Sequence, residues 1–434
     1  MAEAIHPDRA AIEADQLEQL RSLLAELFPA NRFYTQKLQA AGVTFDIASL
    51  ADFSARFPFT TKPELVTDQR GQPPFGTNLT YPLDRYTRFH QTSGTSGTPL
   101  RWLDTPESWD GMIESWTEVF RAADVCVGAR VMFAFSFGPF LGFWLAFESA
   151  ARLGCLCLPG GGLGSAARLR VMRDNRANVL CCTPTYAIRL AEVATEEKID
   201  LRALGVKAII VAGEPGGSIP ATRAKLEALW PGARVFDHHG MTEVGPVTFQ
   251  CPAQPGVLHV IEAAYFAEVI DPASGKPAAS GELVLTTVGR TGSPLLRYRT
   301  GDLVKLFPQP ATRNPSPPPP CTCGRHDLAL AGGIIGRVDD MIIVRGVNIY
   351  PTAVEEILRG FGEVAEYRVH VISAQALTEM RVEIEPVAGC PDAEALIAAV
   401  GQAFETAFAL RVPVAAAVGA LPRFEMKARR WVVA

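Results

Sequence analysis

Two glycines and five hydroxyl side chains lie between Thr92 and Thr98 in the segment HQTSGTSGTP, His90 to Pro99. A stretch of this kind offers amides and hydroxyls to an anion without side-chain bulk, and phosphate is its natural guest. The same composition also describes an ordinary flexible loop. No lysine follows the glycines, so this is not the Gly-Lys-Ser/Thr loop of nucleotide hydrolases, and positive charge must come from elsewhere in the chain. A second constellation is Cys251, His259, Cys321 and Cys323, with His326 as a spare imidazole. Three thiols and an imidazole are the set that a tetrahedral structural zinc wants, and buried free thiols are the alternative. A third is FAFSFGPFLGFW, Phe133 to Trp144, whose Phe135, Phe137 and Phe140 could line an apolar acid pocket or simply fill a core.

These residues need a scaffold, and the hydrophobic pattern supplies one. Leu17, Leu20, Leu23, Leu24 and Leu27 recur at helical spacing, so the N-terminal stretch reads as helices packed on a larger body. From Val131 the pattern changes to short apolar runs, VMFAF, CLCL, VLCC and AIIVA, separated by helical segments. That rhythm implies an α/β fold with a largely parallel sheet. Gly213, Glu214 and Pro215 follow AIIVA and so fall at a strand's carboxyl end, where open α/β sheets bind ligands. Beyond this region LHVIEAAYFAEVI and ELVLTTV, joined by the turn-forming DPASGKPAASG, read as antiparallel strands of a β-rich subdomain. FPQPATRNPSPPPPCTCG, starting at Phe307, reads as an exposed loop, because proline lacks the amide donor that a helix or central strand needs. The last hundred or so residues form a compact unit with a helix near Val354, Ile357 and Leu358, strands from Tyr367 and Met380, and a long helix from Ala393.

The 434 residues exceed one ordinary domain, and 48% hydrophobic with 20% charged residues fits a globular protein with a sizeable core. A formal charge of -5 gives no general attraction for nucleic acid or an anionic membrane. No apolar run approaches the length of a spanning helix, so a cytoplasmic location is expected. Nine scattered cysteines suit reduced thiols rather than a disulfide framework.

Five segments in order carry a resemblance to a known family. TSGTSGTP at Thr92 resembles the signature loop of the adenylate-forming superfamily, and HGMTEVG at His239 its Tyr-Gly-x-Thr-Glu motif. YRTGDL at Tyr298, GRVDDMIIVRGVNIYP at Gly336 and LPRFEMKARR at Leu421 are similar to its ribose, hinge and C-terminal lysine motifs. The hinge ending in Asn-Ile-Tyr-Pro and the Cys-x-Cys-Gly insertion point to the phenylacetate–CoA ligase branch. The resemblance implies a large adenylation domain with mixed sheets, residues 1–338, and a small mobile α+β lid, residues 339–434. It implies an ATP-dependent, AMP-forming ligase that makes an acyl-adenylate and then a thioester with coenzyme A, on an aryl or arylacetic acid such as phenylacetate. An enzyme loading a carrier protein or an amine, or a nucleotide-binding regulator without turnover, are the other readings.

Roles follow from the same resemblance. Thr92, Ser93, Gly94, Thr95, Ser96 and Gly97 would hold the β- and γ-phosphates, and Glu243 a magnesium ion bridging them. Gly213, Glu214 and Pro215 would border the adenine and Asp237 meet its amino group, together with His238, His239, Gly240, Met241 and Thr242. His239 stands where the family usually has an aromatic ring that stacks on the base. Asp302 would grip the ribose hydroxyls, since a carboxylate accepts two hydrogen bonds from a vicinal diol, and Arg337 would contact ribose or phosphate. Lys427 would approach the α-phosphate during adenylation, Asp339 would be the hinge, and Arg345 and Gly346 would flank the coenzyme A tunnel. Related ligases carry a comparable cysteine cluster, which supports zinc at Cys251, His259, Cys321 and Cys323. Similar enzymes are commonly dimers, so a homodimer is an open question of assembly.

Overall fold

The computed structural model describes residues 6–92, 99–307, 320–345, 347–374, 377–425 and 427–433. Its centre is a five-stranded parallel sheet in the spatial order Leu156–Pro159, Arg130–Phe133, Val179–Cys182, Ala208–Val211, Arg234–Asp237. The pleat sends alternate residues to opposite faces, so each strand must be apolar on both. Val131, Phe133, Val179, Cys181 and Ile210 pack one face against Trp109, Met112 and Trp116 of the helix Pro106–Ala122 and against Leu141–Arg152. Met132, Leu180, Cys182, Ile209 and Val235 pack the other against Leu169, Tyr186, Leu190, Leu226 and Trp230. Helix starts are chemically marked: Thr105 and Thr183 accept from a first-turn amide, each followed by proline, whose missing N–H costs nothing at that position.

A second, antiparallel sheet runs Thr248–Gln250, Val257–Val260, Ala329–Ala331, Tyr298–Phe307, Ser280–Thr287, Tyr265–Ile270, with Gly336–Arg337 paired to Tyr298–Phe307. The stretch LHVIEAAYFAEVI, read as strand, is two strands that never pair. A turn in which the Ala264 and Tyr265 amides donate to the Ile261 carbonyl breaks it, and its halves lie at distant positions of the sheet. The strand Arg234–Asp237 had no signal among the apolar runs, because two of its four residues are charged ends. Helices Arg9–Leu27, Arg32–Ala40 and Leu50–Arg56 close around Leu20, Leu23, Leu24, Leu27, Tyr34 and Phe53 with Val288 and Leu296 of the large body. Among the described residues no helix is long and apolar enough to cross a membrane. Most of the proline-rich stretch, 308–319, lies outside the described residues.

The C-terminal part has its own core. Strands Val414–Ala416, Leu377–Pro386, Val364–Ala374 and Trp431–Val433 form one sheet under helices Pro351–Arg359 and Ala393–Phe408, around Val354, Leu358, Val369, Val382, Val400 and Phe404. Polar contacts dock it on the large body. Arg423 bridges Glu192 at 3.2 Å and Glu385 at 2.8 Å, the Ala221 amide donates to Glu356 at 3.0 Å, and Lys225 donates to the Val364 carbonyl at 2.9 Å.

One ion pair is wholly enclosed. Arg290 Nε and Nη2 meet both oxygens of Asp104 at 2.6 and 2.7 Å, with side-chain exposures of 2% and 0%. Arg290 Nη1 also donates to the carbonyls of Thr242 at 3.0 Å and Glu243 at 2.8 Å. Removing one partner strands the other charge, so Arg290→Met should lower the unfolding free energy by about 3–5 kcal/mol in urea titration, and Asp104→Leu in the same chain should recover much of that. A loss below about 1 kcal/mol for the single variant would contradict this account.

Candidate functional site

The cleft opens at the carboxyl ends of the parallel strands. Its neck begins with the hairpin Arg88–Gln91 and Arg101–Asp104, which brackets the hydroxyl-rich segment. Thr92 is tied into the neck of the hairpin. Its amide donates to the Leu100 carbonyl at 2.9 Å and its Oγ1 accepts from the Leu100 amide at 3.0 Å, so this buried residue fastens the base of the loop. Ser93, Gly94, Thr95, Ser96 and Gly97 lie outside the described residues. His90 stacks on Trp109 at 5.1 Å, and burial lowers its pKa to about 4, so it is neutral at pH 7 and is not the missing cation.

The adenine side is built from close backbone approaches. Gly213, at φ +93, leaves its surface bare, and a Cβ there would lie 3.5 Å from Lys427 Cε. Asp237 ends its strand buried, with the His238 amide donating to Oδ1 at 3.0 Å, and burial raises its pKa above the usual carboxylate range. His238 turns inward rather than toward a nucleotide. Its ring lies 4.5 Å from that of Trp116, Nδ1 is 2.7 Å from the Thr248 carbonyl, and burial lowers its pKa to about 4. A neutral ring with that neighbour must donate from Nδ1, which leaves Nε2 as an acceptor. Gly240 and Met241 pair with Gly245 and Pro246, and a Cβ on Gly240 would come within 2.7 Å of the Gly245 carbonyl oxygen. The carbonyl of Thr242 is held by Arg290. Pro215 is exposed beside Glu214.

Charged groups from well-separated parts of the chain converge next to these. His239 Nε2 lies 3.2 Å from Asp302 Oδ2, while Arg337 Nη1 donates to Asp302 Oδ1 at 2.9 Å. Arg337 also reaches the exposed Asp339 at 2.9 Å, so one guanidinium links Asp302 to Asp339. Glu243 is buried, with Oε1 facing Lys62 Nζ at 3.1 Å. Lys427 keeps an exposed flank, yet its ammonium sits in this field. Burial first, and then the Arg337 guanidinium, push its pKa below the usual lysine range, against the carboxylates of Glu214, Glu243 and Asp302. Glu214 accepts from the Thr185 amide at 2.9 Å and the Ala428 amide at 2.8 Å.

Lys62 and Arg290 were not singled out from the sequence. Lys62 heads the helix Lys62–Gly71 with no motif around it, and only folding brings it to Glu243. Arg345 pairs with Glu379 of the small domain at 2.8 Å, and Gly346 lies outside the described residues.

Phe135, Phe137 and Phe140 do come together. Phe135 stacks on Phe143 at 4.3 Å and 13°, Phe137 meets Trp144 and Phe147 edge-on at 5.2 and 5.5 Å, and Phe140 packs edge-on to Phe143 at 5.9 Å. Phe135 is buried as the floor, whereas Phe137 and Phe140 keep partly open faces. Gly161 passes beneath, where a Cβ would stand 3.1 Å from the Phe137 ring.

Cys251, His259, Cys321 and Cys323 meet across the antiparallel sheet, with one ligand atom of each within 4.8 Å of all the others. Cys251 and Cys321 sulfurs are 3.6 Å apart, and Cys323 Sγ is 3.4 Å from His259 Nε2. That is too far for a disulfide and close to the edge of about 3.8 Å that zinc–sulfur bonds impose on a tetrahedron. The donor set and its spacing therefore fit zinc.

Comparison with known proteins gives a consistent result. Residues 91–289 match the family model of the AMP-binding enzyme, and residues 346–433 that of the AMP-binding enzyme C-terminal domain. The phenylacetate-coenzyme A ligase of Thermus thermophilus is 33% identical over 385 residues, covering 87% of this chain and 82% of that protein. Its counterpart from Pseudomonas putida is 30% identical over 390 residues, covering 88% and 83%. The solved structure of 2-hydroxyisobutyryl-CoA ligase in the postadenylation state with 2-HIB-AMP superposes with a TM-score of 0.91 at 27% identity, covering 100% of this chain and 93% of that one. The same ligase with 2-HIB-AMP and CoA in the thioesterification state gives 0.72 at 28% identity, covering 99% and 91%. This chain therefore superposes better on the postadenylation form of that ligase than on its thioesterification form. Sequence, fold and cleft agree, and the chain belongs to the AMP-binding enzymes, in their phenylacetate–CoA ligase-like branch, as an AMP-forming acid–thiol ligase.

Proposed function

We propose that this ligase activates an aryl or arylacetic acid such as phenylacetate with ATP and passes the acyl group to free coenzyme A. The observation that carries the reading is the seat of Lys427 over Gly213, within the field of Glu243 and Asp302. A carboxylate oxygen of the acid attacks the α-phosphorus and pyrophosphate leaves. The coenzyme A thiol, losing its proton, then attacks the acyl carbon and AMP leaves. Both steps bring anions together, so the protein's work is neutralisation and positioning. Lys427 would place its ammonium between the acid and the α-phosphate, Lys62 would supply the positive charge that the loop from Thr92 lacks, and Asp302 would hold the ribose. Magnesium, held through Glu243, would neutralise the bridging phosphate oxygens. Asp339 would pivot the small domain, residues 339–434, against residues 1–338, bringing Arg345 and Gly346 to the thiol path. Phe137 and Phe140 offer ring edges and faces that suit an apolar aryl group better than a charged one. Cys251, His259, Cys321 and Cys323 would hold a structural zinc whose four protein ligands leave no open position for chemistry.

A panel of acids that includes phenylacetate, benzoate and 2-hydroxyisobutyrate, assayed by ATP–pyrophosphate exchange and then with coenzyme A and product mass determination, tests the assignment. Aryl acids should lead by at least about tenfold, a difference of about 1.4 kcal/mol in transition-state binding. A lead by the hydroxy acid would overturn the substrate class, and thioester formed only on a carrier protein would overturn the acceptor. Lys427→Ala should cut exchange by about a hundredfold or more while ATP still binds, since a preorganised charge in such a site is worth several kcal/mol. Because burial lowers the Lys427 pKa and the protonated form is the one needed, wild-type exchange should fall with rising pH earlier than for an ordinary lysine. A rate flat up to pH 10.5 would contradict that role. Purified protein should contain one zinc per chain, and Cys321→Ser or a strong chelator should lower both zinc content and Tm; metal-free protein with unchanged Tm would end the zinc assignment.

A further inference from the structure

Glu214 follows Gly213 in the loop after the strand Ala208–Val211, and its carboxylate faces two main-chain donors from different domains. Oε1 accepts from Thr185 in the first turn of the helix Pro184–Glu196, and Oε2 accepts from Ala428, the residue after Lys427. Among the carboxylates near the Lys427 ammonium, Glu214 exerts the largest pull. Arg430, two residues further on, is buried, donates to Glu366 and reaches Thr185 Oγ1 at 3.4 Å. One carboxylate therefore joins the large domain to the short run that carries the lysine, and does so beside the bare Gly213 over which the lysine passes.

The geometry points to Glu214 as the positioning residue of Lys427, a carboxylate that pins the lysine-bearing tail in the adenylating arrangement and must release it before the thioester step. It acts through the Ala428 amide, and through the helix terminus at Thr185, whose partial positive charge helps hold the carboxylate in place. Of the other contacts between the domains, Lys225 to the Val364 carbonyl and the Ala221 amide to Glu356 lie on the body of the small domain, while Arg423 to Glu192 and Arg430 to Thr185 Oγ1 hold the tail four residues before and three after Lys427. Glu214 meets the main chain of the tail at the residue adjacent to the lysine.

The inference rests on the adenylating reading above and is tested on the full-length protein in two independent ways. Glutamine has one acceptor oxygen where glutamate has two, so Glu214→Gln leaves one of the two amides facing an NH2 group. Exchange should fall by about ten- to a hundredfold, the worth of a charge-assisted hydrogen bond, whereas thioester formation from supplied acyl-adenylate and coenzyme A should fall by much less. Equal losses in both half-reactions, or exchange within twofold of wild type, would overturn the inference. Ala428→Pro deletes the same hydrogen bond from the tail side, so the double variant should be no slower in exchange than the slower single one; fully multiplicative losses would overturn it as well. Hydrogen–deuterium exchange on nucleotide-free protein gives the second readout. Protection at the tail peptide containing Ala428 should be present in wild type and lost in Glu214→Gln, and unchanged protection would reject the contact. An absence of pyrophosphate exchange in wild type with every acid would refute the adenylating reading instead, and the tail protection would still report on Glu214.

Discussion

Negative charge gathered into one cleft is the constraint on which this structure depends. Asp237, Glu243 and Asp302 are all buried, the first at a strand end, the second in a tight turn and the third within a strand. The two that carry a salt bridge are answered from distant parts of the chain, Glu243 by Lys62 of an early helix and Asp302 by Arg337 of the connection to the small domain. Buried carboxylates without partners would be costly, so the protein can keep an acidic cleft only if it imports cations from outside it. Lys427 is the last of these imports and comes from the other domain. The large and small domains are held to one another by the same electrostatic need that prepares the cleft for a triphosphate.

This explains what could be read in advance. The parallel sheet was legible because strands buried on both faces must be apolar throughout, and VLCC and AIIVA show it without alternation. The cysteine and histidine cluster was legible because few residue types share that chemistry, although only the pairing of Phe249 with His259 and of Ala329 with His259 shows how distant strands deliver it. Glu243, Asp302 and Lys427 were legible through their motifs and do share one field of charge. Lys62 was not, since a lysine at a helix start carries no local sign of the carboxylate it will meet.

Other side chains are directed by contacts that spacing cannot report. Thr92 has the right side chain for a phosphate, and a hairpin neck that needs its ladder closed sets its oxygen against the Leu100 amide while the O–H stays a donor. His238 sits in a binding motif, yet its ring is drawn toward Trp116 and the Thr248 carbonyl, where a neutral imidazole is stable. Glu214 occupies the expected position while directing its charge at a neighbouring domain. In each case the residue type was informative and the direction of its side chain was not, because direction is set by which unpaired main-chain group lies nearest.

The final strand carries a mechanical implication. Trp431–Val433 runs parallel to Val364–Ala374, with Trp431 opposite Val369, so the chain is stitched into the small sheet a few residues after Lys427. Arg430 reinforces the stitch through Glu366. With so little slack, the lysine cannot wander while its domain stays still. In the proposed swing about Asp339 it would be the tip of a lever whose arm is the sheet, so a modest rotation at the pivot would become a large excursion of the ammonium group, timed by a rigid body rather than by a flexible tether.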